Sequence, residues 1–226
     1  MSLNSLGENL WSMDYTTHSS GVVFSCRTFI IRLNEDLVVI SPGPWEDEYR
    51  DELAALGQVK WLIAPNAFHH ISFRPWQKQY PDAQHWGTKA LQEKRPKVQF
   101  SHIWEGECPF RGLDLRIYGL EGIPKINELV FFHQPTGSLI VTDLIFNVRS
   151  YASGMSKFFF YIFGIYNRVG TSLLFRLFTS DRSALKKSLE PLLDLPIQRV
   201  MMNHGEFIES DAKPTLEAAL AWTNKA

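Results

Sequence analysis

Apolar positions along the chain fall into short dense runs separated by turn residues, and strands are the first elements this pattern predicts. Gly21 to Leu33 (GVVFSCRTFIIRL) and Asp36 to Ser41 (DLVVIS) are rich in β-branched and aromatic residues, with Asn34-Glu35 as the turn between them. Pro42-Gly43-Pro44 stops the second run. Asp47 to Leu56 has helical composition, and Val59 to Ala64 (VKWLIA) is a short strand ended by Pro65. Ile71 to Tyr80 predicts a helix whose start is restricted by Pro75. A short segment at Gln84 to Gly87 then precedes the polar stretch Lys89 to Lys97.

The middle of the chain returns to strands. Leu113 to Tyr118 alternates, and Glu128 to His133 is apolar. The turn Gln134-Pro135-Thr136-Gly137 leads directly into Ser138 to Asp143, so this pair reads as a hairpin. Met155 to Leu193 has a helical pattern, Ile197 to Met202 is a last buried strand, and Asp211 to Trp222 is an amphipathic helix capped by Asp211. Strand-rich halves, each followed by helices, predict an α/β (α+β) sandwich of sheets covered by helices. With no repeat or linker, residues 1–226 read as one domain, and 155–190 as a helical aromatic insertion.

One apolar run, Phe158 to Phe178, is long enough to span a bilayer, but Asn167, Arg168 and Arg176 interrupt it. An arginine at mid-membrane costs about 2.5–3.5 kcal/mol even on lenient insertion scales, so no membrane span is expected. An internal helix pair, or a cap packed over a site, fits the run better, with a helix lying on a membrane surface as a further alternative. Charge is balanced, 23 Lys+Arg against 24 Asp+Glu, which argues against nucleic acid as a partner. The two cysteines, Cys26 and Cys108, are too few for a disulfide framework. They read as reduced thiols of a cytoplasmic protein, a single buried bridge being the alternative. Met1 to Asp14 lacks the basic start and apolar run of a secretory signal.

Chemistry-bearing side chains stand just beyond the predicted strand ends. His69 and His70 follow VKWLIAPNAF, Asp143 ends SLIVTD, and His204 follows IQRVMMN. Strand ends are where a rigid sheet presents loop residues to a ligand. Three imidazoles and one carboxylate form a first shell suited to one divalent metal, Zn first, with Fe or Mn as alternatives. The plainer reading makes Asp143 a turn cap and His204-Gly205 a strand end.

The order of these motifs resembles the metallo-β-lactamase superfamily, in an uncharacterised branch with a degenerate metal motif. Pro65-Asn66-Ala67-Phe68-His69-His70 falls where that family has HxHxDH. Thr142-Asp143-Leu144-Ile145-Phe146 matches its aspartate segment, and Asn203-His204-Gly205 its closing His-Gly. Pro65 and Ala67 replace two histidines, and the turn between Tyr118 and Glu128 lacks a third. Those three make the family's first metal site. His69, His70, Asp143 and His204 correspond to the second.

The resemblance implies an αββα sandwich of the metallo-β-lactamase type and hydrolysis of a small ester, thioester, amide or phosphodiester. One metal would sit on His69, His70, Asp143 and His204, with Asp143 also hydrogen-bonding the attacking water. His69 and His70 are adjacent, and so can converge only in a turn or at a helix start. Loss of the first site favours a second reading: a non-catalytic binding module whose Met155–Phe178 region forms a homodimer. Redox chemistry at a mononuclear iron is a third, without a supporting signature. Arg168, Arg176 and Arg182 are candidates for orienting an anionic small-molecule substrate, or for pairing with acids such as Asp181 or Glu190. Trp45, Trp61, Trp76 and Trp86 read as core, and Glu121 as a solvated carboxylate.

Overall fold

The computed structural model describes residues 3–19, 21–110 and 112–224. Seven strands form the first sheet in chain order: β1 (Asn4–Gly7), β2 (Leu10–Ser19), β3 (Val22–Leu33), β4 (Asp36–Ile40), β5 (Gln58–Ile63), β6 (Gln84–Gly87) and β7 (His102–Ile103). The pairs from β1 to β4 are antiparallel, and those from β4 to β7 are parallel. Helices α1 (Tyr49–Leu56), α2 (Phe73–Gln79) and α3 (Lys89–Lys94) connect the parallel strands, as parallel pairing requires a crossover.

The second sheet begins with β8 (Leu115–Gly119), β9 (Leu129–His133) and β10 (Ser138–Val141), paired antiparallel. The chain then leaves through a two-stranded ribbon, β11 (Phe146–Asn147) and β12 (Val169–Gly170), with α4 (Gly154–Ile162) between them. Helices α5 (Leu173–Phe178) and α6 (Arg182–Leu193) follow, and β13 (Arg199–Met202) returns parallel to β10. Helix α7 (Ala212–Leu220) closes the second half.

Alternation along the strands decides the layering. Phe29, Ile31, Val38 and Ile40 of the first sheet face Leu129, Phe131, Ile140 and Met201 of the second in one buried cluster. Their neighbours Ile30, Leu37, Val39 and Leu62 point the other way, onto Tyr49, Leu53, Phe73 and Trp76. On the far side Val130, Phe132, Leu139 and Met202 meet Phe175, Leu185, Leu189 and Leu216. Both faces of both sheets are therefore covered, in the order helix, sheet, sheet, helix. Strands buried on both faces read as continuous apolar runs, the pattern visible in ELVFFH and RVMM.

Trp76 is the largest fully buried side chain beneath the first sheet, and its Nε1 donates to the Gly43 carbonyl at 2.8 Å. Trp76→Ala is expected to lower unfolding stability by about 3–5 kcal/mol in urea denaturation, through cavity formation and an orphaned carbonyl.

Four local features depart from or go beyond the sequence reading. Lys89 to Lys97 contains α3, whose start is capped by Thr88 Oγ1 accepting from Leu91 N. Leu10 to Ser19 is a full strand, paired along its length with β3. Asp211 does precede α7, but it adopts φ +48° and its side chain caps nothing. The helical stretch from Met155 is broken into α4, α5 and α6, with Gly164 at φ +69° in the first break. No helix among the described residues is long and apolar enough to cross a membrane.

Candidate metal centre

The three loops that follow β5, β10 and β13 meet at one edge of the sandwich. They place one nitrogen or oxygen each from His69, Asp143 and His204 within 4.8 Å of one another. His69 Nε2 lies 3.2 Å from Asp143 Oδ2, and His204 Nε2 lies 3.8 Å from Asp143 Oδ1.

Each side chain is held from behind. After Pro65 ends β5, Asn66 Oδ1 accepts from Phe68 N at 2.8 Å and His69 N at 3.0 Å, which tightens the turn. Its Nδ2 donates to Asp143 Oδ2 at 2.7 Å and to Thr142 Oγ1 at 2.9 Å. His69 Nδ1 meets Ser41 Oγ at 2.8 Å, and that oxygen also accepts from Asn203 Nδ2 at 3.0 Å. His204 Nδ1 lies 2.9 Å from the Ser25 carbonyl, and the ring stacks flat on Phe146.

Beneath Asp143 lies Glu128, fully buried. Its carboxylate accepts from Thr142 N, Asp143 N and Leu144 N at 2.8–3.2 Å, and so shapes the turn that aims Asp143. Nothing local in the sequence marks Glu128 or Asn66 for these roles. The Pro-Asn dipeptide signals only a turn.

Burial and the Asp143 charge push the Glu128 carboxyl upward, against its three N–H partners. Burial works the same way on Asp143. There His69 and the Asn66 amide outweigh it and hold the group below the usual carboxylate range. Burial, with His69 beside it, brings His204 down to about 4, so the ring is neutral at pH 7. Cys26, whose Sγ is 3.6 Å from His204 Nδ1, is pushed up to about 12 by burial and by Asp143.

These states bear on whether the residues suit a metal. A carbonyl can only accept, so the Ser25 contact keeps the proton of neutral His204 on Nδ1. Nε2 then presents a lone pair to the ionised Asp143 oxygen across 3.8 Å. Two acceptors face each other over a gap that no proton bridges. A cation would satisfy both, and an imidazole whose second nitrogen is tied to a carbonyl is the usual form of a metal-bound histidine.

His70 does not join the cluster. Its Nε2 accepts from Arg95 Nε at 2.9 Å, and burial with Lys94 and Arg95 nearby lowers it to about 4. The turn that aims His69 inward turns its neighbour toward α3. Arg176 and Arg182 lie over the Trp222 ring, and Arg168 Nε donates to the Gly164 carbonyl. None of the three lines the cavity above the cluster. His133 is buried against Thr136 Oγ1, and His102 stacks on Trp86, both away from that cavity. Cys26 and Cys108 are both free.

A family profile described as a domain of unknown function, DUF4336, matches residues 7–158, well over half of the chain. The chain belongs to the DUF4336 family. No curated protein matches this DUF4336 chain by sequence. Among solved structures it is similar to a metallo-β-lactamase from Pontibacter korlensis, at 13% identity and a TM-score of 0.67, covering 99% of each chain. It is also similar to FIM-1 from Pseudomonas aeruginosa in its mono-zinc form, at 11% identity and a TM-score of 0.64, covering 99% of this chain and 94% of the other. A metallo-β-lactamase from Hirschia baltica gives 12% identity and a TM-score of 0.62, covering 98% and 96%. The DUF4336 chain thus has the metallo-β-lactamase fold, with a His/Asp/His group at one edge of its sandwich.

Proposed function

We propose that this DUF4336 protein is a metal-dependent hydrolase of an ester, thioester, amide or phosphodiester, using one divalent ion held by His69, Asp143 and His204. Zn²⁺ suits two imidazoles and a carboxylate best, with Fe or Mn as alternatives. The observation that carries the reading is the convergence of one ligand atom each from His69, Asp143 and His204 within 4.8 Å, with His204 Nε2 3.8 Å from Asp143 Oδ1. His70, engaged by Arg95, is left out of the ligand set. Pro65 and Ala67 offer no side-chain donor, which supports one ion rather than two. The mono-zinc state named for FIM-1 supports one-metal occupancy of such a fold.

When bound, the ion supplies a Lewis acid for the scissile group and lowers the pKa of water. The chain supplies the rest. Asp143, kept ionised and fixed at Oδ2 by Asn66, is an acceptor for a proton of the attacking water. Ser41 and the Ser25 carbonyl hold the two rings, so little reorganisation is needed. The free thiols support a reducing compartment such as the cytoplasm. The chain is read as one domain, with α4 and α5 covering the site.

Metal content per chain tests this, measured on untagged protein without chelator. Near one equivalent is expected in wild type and in His70→Ala, and little in Asp143→Ala or His204→Ala. Wild type that stays empty, and gains no thermal stability from Zn, Mn or Fe, would sink the reading.

A second reading keeps the fold without the chemistry. Phe158, Tyr161 and Leu177 on α4 and α5 are 60–78% exposed, an apolar face that a second copy of the chain could bury. It requires a dimer that Phe158→Glu with Tyr161→Glu converts to monomer in light scattering. A wild-type monomer removes it.

A further inference from the structure

Above the His69, Asp143 and His204 cluster lies a cavity of about 670 Å³, within the size range of small-molecule sites. Its two ends differ in character. One is walled by Phe24, Phe146, Phe159, Ile162, Phe163 and Leu174, contributed by β3, β11, α4, α5 and the turn after α4. The other carries Lys94 and Arg95, at the end of α3. Lys94 Nζ donates to the Ala67 carbonyl at 2.9 Å, and Arg95 uses its Nε on His70. Among the described residues neither makes an ion pair with a carboxylate. Lys94 Nζ also lies 4.3 Å from the centre of the Phe68 ring and feels the Asp143 carboxylate at longer range. Two cations with no carboxylate in direct contact, at the rim of an aromatic cavity, match a ligand with one anionic end and one long apolar end.

The opening supports the same chemistry. Met155 and Phe158 line the cavity and are also 57% and 60% exposed, so the apolar wall runs out to the surface. A small polar substrate would leave these rings facing water. A methylene chain would cover them, each buried CH₂ strengthening binding roughly three- to fourfold.

We infer that the cavity binds a long-chain amphiphile, its alkyl or acyl chain among the α4 and α5 aromatics and its carboxylate or phosphate on Lys94 and Arg95. The bond to be cleaved lies between these ends, beside His69, Asp143 and His204. Its cleavage rests on the hydrolase reading above, whereas the binding rests on the cavity alone. Ligand class is thereby set by the cavity's two ends rather than by the metal-ligand side chains.

Binding is measured on metal-stripped protein, so that its outcome is independent of the metal reading. Saturated fatty acids of increasing length displace fluorescent cis-parinaric acid, below their critical micelle concentrations. Affinity is expected to climb roughly threefold per methylene until the cavity is full, then level off. Alkyltrimethylammonium ions of equal length are expected to bind at least about tenfold more weakly. Lys94→Glu with Arg95→Glu should remove that preference while chain-length dependence persists. Ile162→Asp, at a half-exposed position that need not disturb folding, should weaken all the ligands. A flat response to chain length, or equal affinity for the two head groups, overturns the proposal. Metal content measured separately shows whether the hydrolase reading stands or falls on its own.

Discussion

Glu128→Leu should lower unfolding stability by at least about 3 kcal/mol. The carboxylate is fully buried and accepts from three consecutive amides, Thr142, Asp143 and Leu144. Leucine fills similar space but leaves three buried N–H groups without partners, and each costs about 1–3 kcal/mol. Relief of a desolvated charge offsets part of this, which is why the lower end of the sum is taken. Glu128→Gln keeps one acceptor oxygen and should lose about half as much. Urea denaturation of metal-stripped protein gives the stability, and metal titration of the folded fraction gives the second readout. The turn aims Asp143, so affinity for metal should fall with stability. A loss under about 1 kcal/mol would mean that these amides find other acceptors.

The second large effect comes from Gly205→Ala. Gly205 adopts φ +91°, and a Cβ there would sit 2.2 Å from the Asn147 carbonyl oxygen. That oxygen already accepts from Glu206 N at 2.8 Å, so the backbone cannot give way without breaking the contact that seats the loop. Unfavourable φ and steric overlap together should cost about 3–5 kcal/mol. His204, the preceding residue, would be displaced as the loop moves. Gly106→Ala is the control: φ there is +103° with open space around the added carbon. It should cost only about 1–2 kcal/mol, the share due to backbone conformation. Equal losses at both positions would show that the overlap at Gly205 relaxes freely.

Much of the layering could be read from the chain because strands buried on both faces leave dense apolar runs. ELVFFH and SLIVTD locate β9 and β10 to within two residues. Helix α3 was hidden because its surface is largely Lys, Gln and Glu; only Thr88 hinted at a cap. Strand β2 was hidden for a related reason, since LWSMDYTTHS mixes polar residues into a strand whose partner β3 supplies the aliphatic β-branched side chains. The convergence of His69, Asp143 and His204 could be anticipated because each follows a strand end. His70 could not be separated from His69 by spacing, because only the Asn66-tightened turn and Arg95 send the neighbours apart. Glu128 acts across a sequence gap on backbone amides, and no local pattern records such a contact.

His69 comes from the first sheet, whereas Asp143 and His204 follow strands of the second. The cluster therefore exists only after the two sheets have docked, and the contacts that complete it span large sequence separations. Such contacts consolidate late on the folding route. An ion seated there would act as a latch on the finished sandwich rather than a template for its assembly. Saturating metal should slow unfolding while leaving refolding almost unchanged. Resistance to degradation where the protease waits on unfolding would then rise with metal supply, at a constant rate of folding.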